Sequence, residues 1–479
     1  MASPSTINPI IPGFAPDPSL ILVDGTYFLV NSTFHLEEKS HLVATGGLYA
    51  PTIRYHNGTF YIVCTNVVHQ SLDGSNNELQ NFIVSTTDIH ASKWSDPIYF
   101  DFYGIDPSLF FDTDGKAYLC GSKSPGPETK IMLFEIDVKT GKKLTEEKEL
   151  WHGTGGIYPE GPHIYLRNSL YYLMVAEGGT HEGHSVTMAR SKNIWGPYEP
   201  SPLNPILSAA GTDEYIQATG HCEAFEDKNG EWWGVCLGIR QGADELWGLG
   251  RETFLTKGYW NEDGWLKFDR AKLHVQSFDD VRKDERLTAA SGTDLLYIHD
   301  PDLFRSRISG GSITLTPSEH DIASPEASPT FVGKRQRFLE GASTVTLVNA
   351  GLESASSLLV ASLVVYKDEH RWLRVSYAPS KRTVSLQVLN KGKSIDQTTT
   401  KEVDSSFEKL NIRVQYTEME YSVYYGLDGG EVKELGKVST MDLSNKDFTG
   451  PIIGVHAVSE SRSGEVKIRF EGYIVDSAQ

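Results

Sequence analysis

Four side chains able to move protons, Asp17, Asp106, Glu160 and His221, stand at the heads of copies of one recurring phrase. The copies are Asp17-Pro-Ser-Leu-Ile-Leu-Val-Asp-Gly, Asp106-Pro-Ser-Leu-Phe-Phe-Asp-Thr-Asp-Gly, Glu160-Gly-Pro-His-Ile-Tyr-Leu-Arg-Asn and His221-Cys-Glu-Ala-Phe-Glu-Asp-Lys-Asn-Gly. A further copy, Ala50-Pro-Thr-Ile-Arg-Tyr-His-Asn-Gly, has an alanine at its head. Carboxyls that meet in one place can divide the work of acid and base when their surroundings push their pKa values apart. The phrase also says how they meet. Each copy runs from a polar head through an apolar strand to an Asn/Asp turn. An aromatic strand follows: Tyr27-Phe-Leu-Val, Phe60-Tyr-Ile-Val, Ala117-Tyr-Leu-Cys, Tyr171-Tyr-Leu-Met and Trp232-Trp-Gly-Val. A strand-turn-strand unit cannot bury both of its faces alone. Five such units set radially make a propeller, and the heads of the innermost strands then converge on its axis.

The rest of the composition frames this reading. A chain of 479 residues is long for one core, so two domains are expected. A net charge of −19 excludes nucleic acid and anionic membranes as natural partners. No apolar run approaches the ~20 residues a membrane helix needs. The N-terminus carries no basic residue before Lys39 and no secretory pattern. The expected location is the cytoplasm, or outside the cell if a signal segment were removed. Cys64, Cys120, Cys222 and Cys236 show no CxxC or CxxH spacing, so they read as buried free thiols rather than zinc ligands. The sequons at Asn31 and Asn57 lie on repeat strands and carry little weight.

Spacing divides the chain. Heads fall at 50, 106, 160 and 221, which leaves room for four short strands per unit, but Asp17 precedes Ala50 by only 33 residues. The first blade is therefore short by about 20–25 residues and has room for two or three strands. A propeller is expected over residues 1–285, a linker over 286–301 and a second domain over 302–479. The last shows period-two strands at short spacing, as in Thr383-Val-Ser-Leu-Gln-Val and Leu410-Asn-Ile-Arg-Val-Gln-Tyr, the pattern of an antiparallel β-sandwich. The fold class is all-β.

Three segments resemble the catalytic motifs of glycoside hydrolase family 43: Asn8-Pro-Ile-Ile-Pro-Gly-Phe-Ala-Pro-Asp-Pro-Ser, Gly104-Ile-Asp-Pro-Ser-Leu-Phe and Tyr158-Pro-Glu-Gly-Pro-His. Ser328-Pro-Thr-Phe-Val-Gly-Lys-Arg-Gln-Arg resembles the concanavalin-like C-terminal sandwich of that family's β-xylosidases. The resemblance implies a five-bladed propeller that hydrolyses glycosidic bonds with inversion. Asp17 would be the general base, Glu160 the general acid, and Asp106 the group that tunes the acid and orients the sugar. An inverting reaction needs one protonated and one ionised carboxyl, ~6.5–9.5 Å apart, with water between sugar and base. The resemblance also implies that Arg251 reaches sugar hydroxyls, holding Asp106 or Glu160 in place. Phe34 and Tyr49 would form aromatic walls for the pyranose. His221 would either bind calcium on the propeller axis or hydrogen-bond the carboxylates. No other cofactor is required. His163 reads as a core histidine.

The expected activity is removal of terminal xylose from β-1,4-xylo-oligosaccharides, with α-L-arabinofuranosidase activity unseparated by sequence. An arabino-oligosaccharide is thus the other substrate. The family's segment between Ser32-Thr-Phe34 and Gly46-Gly-Leu-Tyr49 is cut here to eleven residues, 35–45. That leaves two rivals: a weakly active or non-catalytic carbohydrate-binding propeller, and an endo-arabinanase.

Overall fold

The computed structural model describes residues 5–34, 46–69, 77–91, 93–124, 126, 129–242, 247–276, 294–324, 327–352, 358–404, 406–444, 449–459 and 466–477. It is built almost wholly of antiparallel strands, and its one α-helical turn among the described residues is Thr440–Leu443. The first half of the expected linker, residues 286–293, and residues 35–45 where the first blade is cut, lie outside the described residues.

The N-terminal half is a five-bladed propeller. Blade one pairs Ser19–Val23 with Thr26–Val30 through the Asp24-Gly25 turn and has two strands among the described residues. Blade two runs Thr52–His56, Thr59–His69, Asn77–Thr86 and Ile98–Tyr99, with Gly47–Leu48 added beside Thr59–His69. Blade three begins at Gly104–Phe111, blade four at Glu160–Arg167 and blade five at Ile216–Glu226. The short first blade is as the spacing predicts.

Period-two alternation turns each blade's apolar side chains onto its neighbours. Val63 and Ile83 of blade two meet Leu109, Leu119 and Phe134 of blade three. Cys120 and Leu133 of blade three meet Ile164 and Val175 of blade four. Met174 and Val186 meet Ile216 and Phe254 of blade five. Trp233 and Leu255 of blade five meet Leu20 of blade one. Between blades one and two Phe28 lies edge-on to Phe60, with ring centroids 5.2 Å apart. The segment ahead of blade one closes the ring along blade five. Ile11 bridges Thr253, and Asn8 donates to the Leu255 carbonyl and accepts from its N–H.

The C-terminal half stacks a seven-stranded sheet on a six-stranded one. Leu363, Val375 and Val455 face Leu347, Ile412 and Phe470 across a dry core.

Candidate active site

The heads of the inner strands are built by a repeated backbone device. Opposite Gly121, the strand of blade three carries two residues, Asp106 and Pro107, where the register allows one. Blade four carries Gly161 and Pro162 opposite Val175. Blade five carries His221 and Cys222 opposite Cys236. Each is a β-bulge, and its first residue is left-handed: φ is +52° at Asp106, +57° at Gly161 and +43° at His221. Asp17, followed by Pro18, has φ +52° just ahead of the blade-one ladder. Bulges re-aim a side chain at the end of a strand, and proline suits them because it needs no ladder donor. Left-handed backbone costs a non-glycine residue roughly 1–3 kcal/mol, so it persists where surrounding structure holds it.

The residues so placed line one cavity of about 340 Å³ with Asp17, Asp106, Glu160, His221, Arg251, Phe34 and Tyr49 in its wall. Asp17 is buried. The Ser32 hydroxyl donates to its Oδ2, while His221 Nδ1 and Arg251 Nη1 each lie 3.4 Å from Oδ1. Burial pushes the Asp17 carboxyl up, but Arg251, His221 and the Ser32 hydroxyl outweigh it and hold it below the usual carboxylate range. Asp106 accepts the Gly161 N–H at 3.0 Å. Burial raises it, His221 opposes and Asp17 adds, so that it is pushed up to about 6. Glu160 is partly exposed at the wall. Burial of its carboxyl, then the charges of Asp106 and Asp17, push it well above the ordinary value, against Arg251. Asp17 is thus set to hold a negative charge and Glu160 to hold a proton.

Glu160 departs from the phase in which its repeat was read. Gly161-Pro162 occupies the slot that Asp17-Pro18 and Asp106-Pro107 fill, so Glu160 stands one residue earlier. Arg251 also differs from expectation. Its Nη1 reaches Asp17 and the Thr180 hydroxyl rather than gripping Asp106 or Glu160 by hydrogen bonds. Its guanidinium carbon lies 5.3 Å from the Phe34 ring centroid and 5.8 Å from that of Phe14. Phe34 and Tyr49 pack against one another tilted by 49°, with ring centroids 4.9 Å apart. Sequence reasoning missed the remaining wall, Ile105, Ile157, Tyr158, Thr180 and His181. Tyr158 opens the acid motif and Ile157 immediately precedes it, which is the signal that could have found them.

Below the heads lies a second polar tier, two residues past the left-handed position in blades one, three, four and five and four past Ala50 in blade two. Ser19, Arg54, Ser108, His163 and Glu223 come one from each blade. Arg54 Nη1 pairs with Glu223 Oε1 at 2.6 Å. Glu223 Oε2 accepts the Ser19 hydroxyl and the Leu20 N–H. His163 Nδ1 lies 3.1 Å from both Ser108 Oγ and Arg54 Nη2. Burial drives His163 down to about 3, so it is neutral, a core histidine as its sequence context suggested. All four cysteines are buried free thiols. The Asn31 side-chain amide, the nitrogen a sequon would offer, instead donates to Ala15 O, Pro16 O and Thr253 Oγ1.

The sequence profile of Glycosyl hydrolases family 43 matches residues 36–266, and that of the Beta xylosidase C-terminal Concanavalin A-like domain matches residues 293–473. A non-reducing end alpha-L-arabinofuranosidase of Bacteroides ovatus is 33% identical over 516 positions, covering 97% of this chain and 94% of that protein. A xylosidase/arabinosidase of Humicola insolens is 30% identical over 551 positions, covering 99% and 98%. Both alignments are longer than this chain of 479 residues, so at least 37 and 72 positions of them fall where it has no residue. The crystal structure of a xylan beta-1,4-xylosidase from Bacillus halodurans superposes with a TM-score of 0.86 at 26% identity, over 97% of this chain and 99% of that one. The chain belongs to glycoside hydrolase family 43, as a propeller with the concanavalin-like C-terminal domain of that family's β-xylosidases.

Proposed function

We propose that this glycoside hydrolase removes single pentose residues, xylose first, from the non-reducing ends of β-1,4-xylo-oligosaccharides, with inversion. Asp17 activates water, Glu160 protonates the leaving oxygen, and Asp106 keeps the proton on Glu160 while remaining ionised at neutral pH. The observation that carries this reading is the split between two carboxyls in one cavity. Arg251, His221 and the Ser32 hydroxyl hold Asp17 low, and burial with two negative neighbours holds Glu160 high. A single displacement needs that division. Arg251 and the Phe34–Tyr49 pair fit a pyranose, the rings covering its apolar face.

α-L-Arabinofuranoside is the second substrate reading, favoured by the name of the Bacteroides ovatus relative. The test is hydrolysis of aryl β-D-xylopyranoside and aryl α-L-arabinofuranoside, with proton NMR of the first anomer formed. α-Xylose as first product from the β-xyloside supports the reading. β-Xylose first would mean double displacement and remove Asp17 from the role of base.

His221 we place as a hydrogen-bonding partner of Asp17. The donor set supports this over calcium ligation. Calcium takes six to eight oxygens, whereas His221 Nδ1 shares Asp17 Oδ1 with a guanidinium. The backbone of Gly161 lies so close to His221 Nε2 that a Cβ there would come within 2.9 Å. Among the described residues no three His, Cys, Asp or Glu side chains form a metal-holding group.

A further inference from the structure

The C-terminal sandwich sends one buried cation to the back of the pocket wall. Arg335, the last residue of the strand Thr330–Arg335, is 7% exposed. Its Nη2 donates to the Thr33 carbonyl at 3.2 Å and its Nη1 to the Gly450 carbonyl at 3.1 Å. Its guanidinium carbon lies 4.6 Å from the centroid of Phe14. Phe14 in turn touches Phe34, with centroids 5.8 Å apart, and lies under Arg251. Residues Thr449 and Gly450, ahead of the neighbouring strand Ile452–Val458, press on the turn before Arg251. A Cβ on Gly250 would stand 2.8 Å from Gly450 N, and one on Gly450 would stand 2.2 Å from Leu249 O. One end of one sandwich sheet therefore backs both Phe34 and Arg251.

Arg335 is an expensive way to glue two domains. Among the described residues no carboxylate pairs with it. Burial and then the neighbouring Arg337 push it down to about 9, which still leaves it charged at neutral pH. A buried charge needs excellent compensation, and here two carbonyls and a ring supply it. The element it holds also needs holding. Thr33 is followed by Phe34 at φ +46°, and this stretch leaves a blade with two strands among the described residues.

We propose that Arg335 is a positioning residue for the hydrolytic site, fixing Thr33–Phe34 and Phe14, and through them the sugar wall and Arg251, where blade one has no outer strand among the described residues to do so. The inference rests on the proposed pentosidase reading of that pocket. Released from Arg335, the Phe34 wall shifts, and displacements near 1 Å cost on the order of 10²-fold in rate.

The test compares Arg335→Ala with Arg337→Ala in the full chain. Arg337 also crosses between the domains, donating to the Pro12 carbonyl at 3.0 Å, but it does not touch Thr33 or Phe34. Steady-state kinetics on whichever aryl pentoside the wild type hydrolyses are measured with the melting temperature of each protein. Arg335→Ala should raise KM about tenfold and lower kcat/KM by ten- to a hundredfold, and low millimolar guanidinium should restore part of the loss. Arg337→Ala should keep KM within twofold while lowering the melting temperature. Arg335→Lys, which keeps the charge but cannot span both carbonyls, should fold and still raise KM, so a failure of the alanine variant to fold does not spare the idea. Unchanged KM in both Arg335 variants, with only the melting temperature lowered as in Arg337→Ala, makes Arg335 a domain fastener and overturns the inference alone. A wild type that neither binds nor turns over any pentoside overturns the functional reading and this inference with it.

Discussion

Replacing Arg251 by methionine should move the whole pH–rate profile to higher pH. The substitution keeps apolar bulk against Phe14 and Phe34 and removes the charge, together with the hydrogen bond to Thr180. Arg251 Nη1 lies 3.4 Å from Asp17 Oδ1. At that distance two unit charges attract by about 1.2 kcal/mol in a water-like medium and by about 5 kcal/mol at an effective dielectric near 20. One pKa unit is about 1.4 kcal/mol, so these limits bracket a rise of Asp17 of roughly one to three and a half units. His221, also 3.4 Å from that oxygen, tempers the change. The sign follows from the role. A base held low stays ionised down to acid pH, and once raised it is protonated, and activity lost, earlier as pH falls. Arg251 also lowers Asp106 and Glu160, so removing it lifts both of these as well. The acidic limb of kcat/KM on an activated aryl pentoside should rise by about one unit or more, and the alkaline limb should rise too. A higher KM with both limbs unmoved would refute the reasoning. Arg251 would then be a sugar contact alone, and Asp17 would owe its low pKa to His221 and Ser32.

Glu160→Gln should lose ~10²–10⁴-fold on xylobiose but far less on an aryl glycoside whose leaving group needs no proton; equal losses on both would remove the acid role. Glu223→Gln leaves Arg54 as an unpaired buried cation and should destabilise the fold by about 3–5 kcal/mol in denaturant unfolding, whereas a change below half a kcal/mol would show that the second polar tier does not hold the blades together. Chelation should leave activity and melting temperature unchanged if His221 serves Asp17 by hydrogen bonding; a fall that added calcium reverses would make it a metal ligand.

The meeting of Asp17, Asp106, Glu160 and His221 was legible because a propeller maps sequence repeats onto rotational positions, so equivalent heads must converge. The one-residue offset of Glu160 was legible too, since Gly161-Pro162 matches Asp17-Pro18 and Asp106-Pro107 letter for letter in its proline. So was the second tier. Strand side chains alternate, and the residues two beyond the heads of blades one, three and five are Ser19, Ser108 and Glu223, which must share the axial face. What the sequence withheld depends on reach and loop path. Arg251 was expected on Asp106 or Glu160 but turns to Asp17, because a long side chain near three carboxyls is steered by which oxygen is ionised and within range. Thr180 and His181 enter the wall from a connection between strands of blade four, where the chain follows packing rather than repeat. The contact of Arg335 with Thr33 joins residues 302 apart in sequence, and no local pattern encodes how a sandwich docks on a propeller.

The shortened first blade separates two requirements that a complete blade meets together. The carboxylates stand at the heads of the inner strands, Asp106 in a bulge, Glu160 just before one and Asp17 just ahead of its ladder, and the Asp17 strand is anchored from below: Ser19, two residues past Asp17, binds Glu223 of blade five and, through its hydroxyl, the Ile53 N–H of blade two at 3.0 Å. This anchoring needs no outer strand, so losing outer strands leaves Asp17 in place. Supporting the wall is different work. Phe34 follows the second strand of blade one, beyond the reach of the axial tier, and in the described structure it rests on Phe14 and Tyr49, on the Leu48 carbonyl that accepts the Thr33 and Phe34 N–H groups, and through Thr33 on the sandwich. A chain built this way keeps its acid and base on the propeller axis and makes sugar positioning depend on the second domain. Changes at the domain boundary should therefore act first on how substrate is held, and changes on the axis should act first on the chemistry.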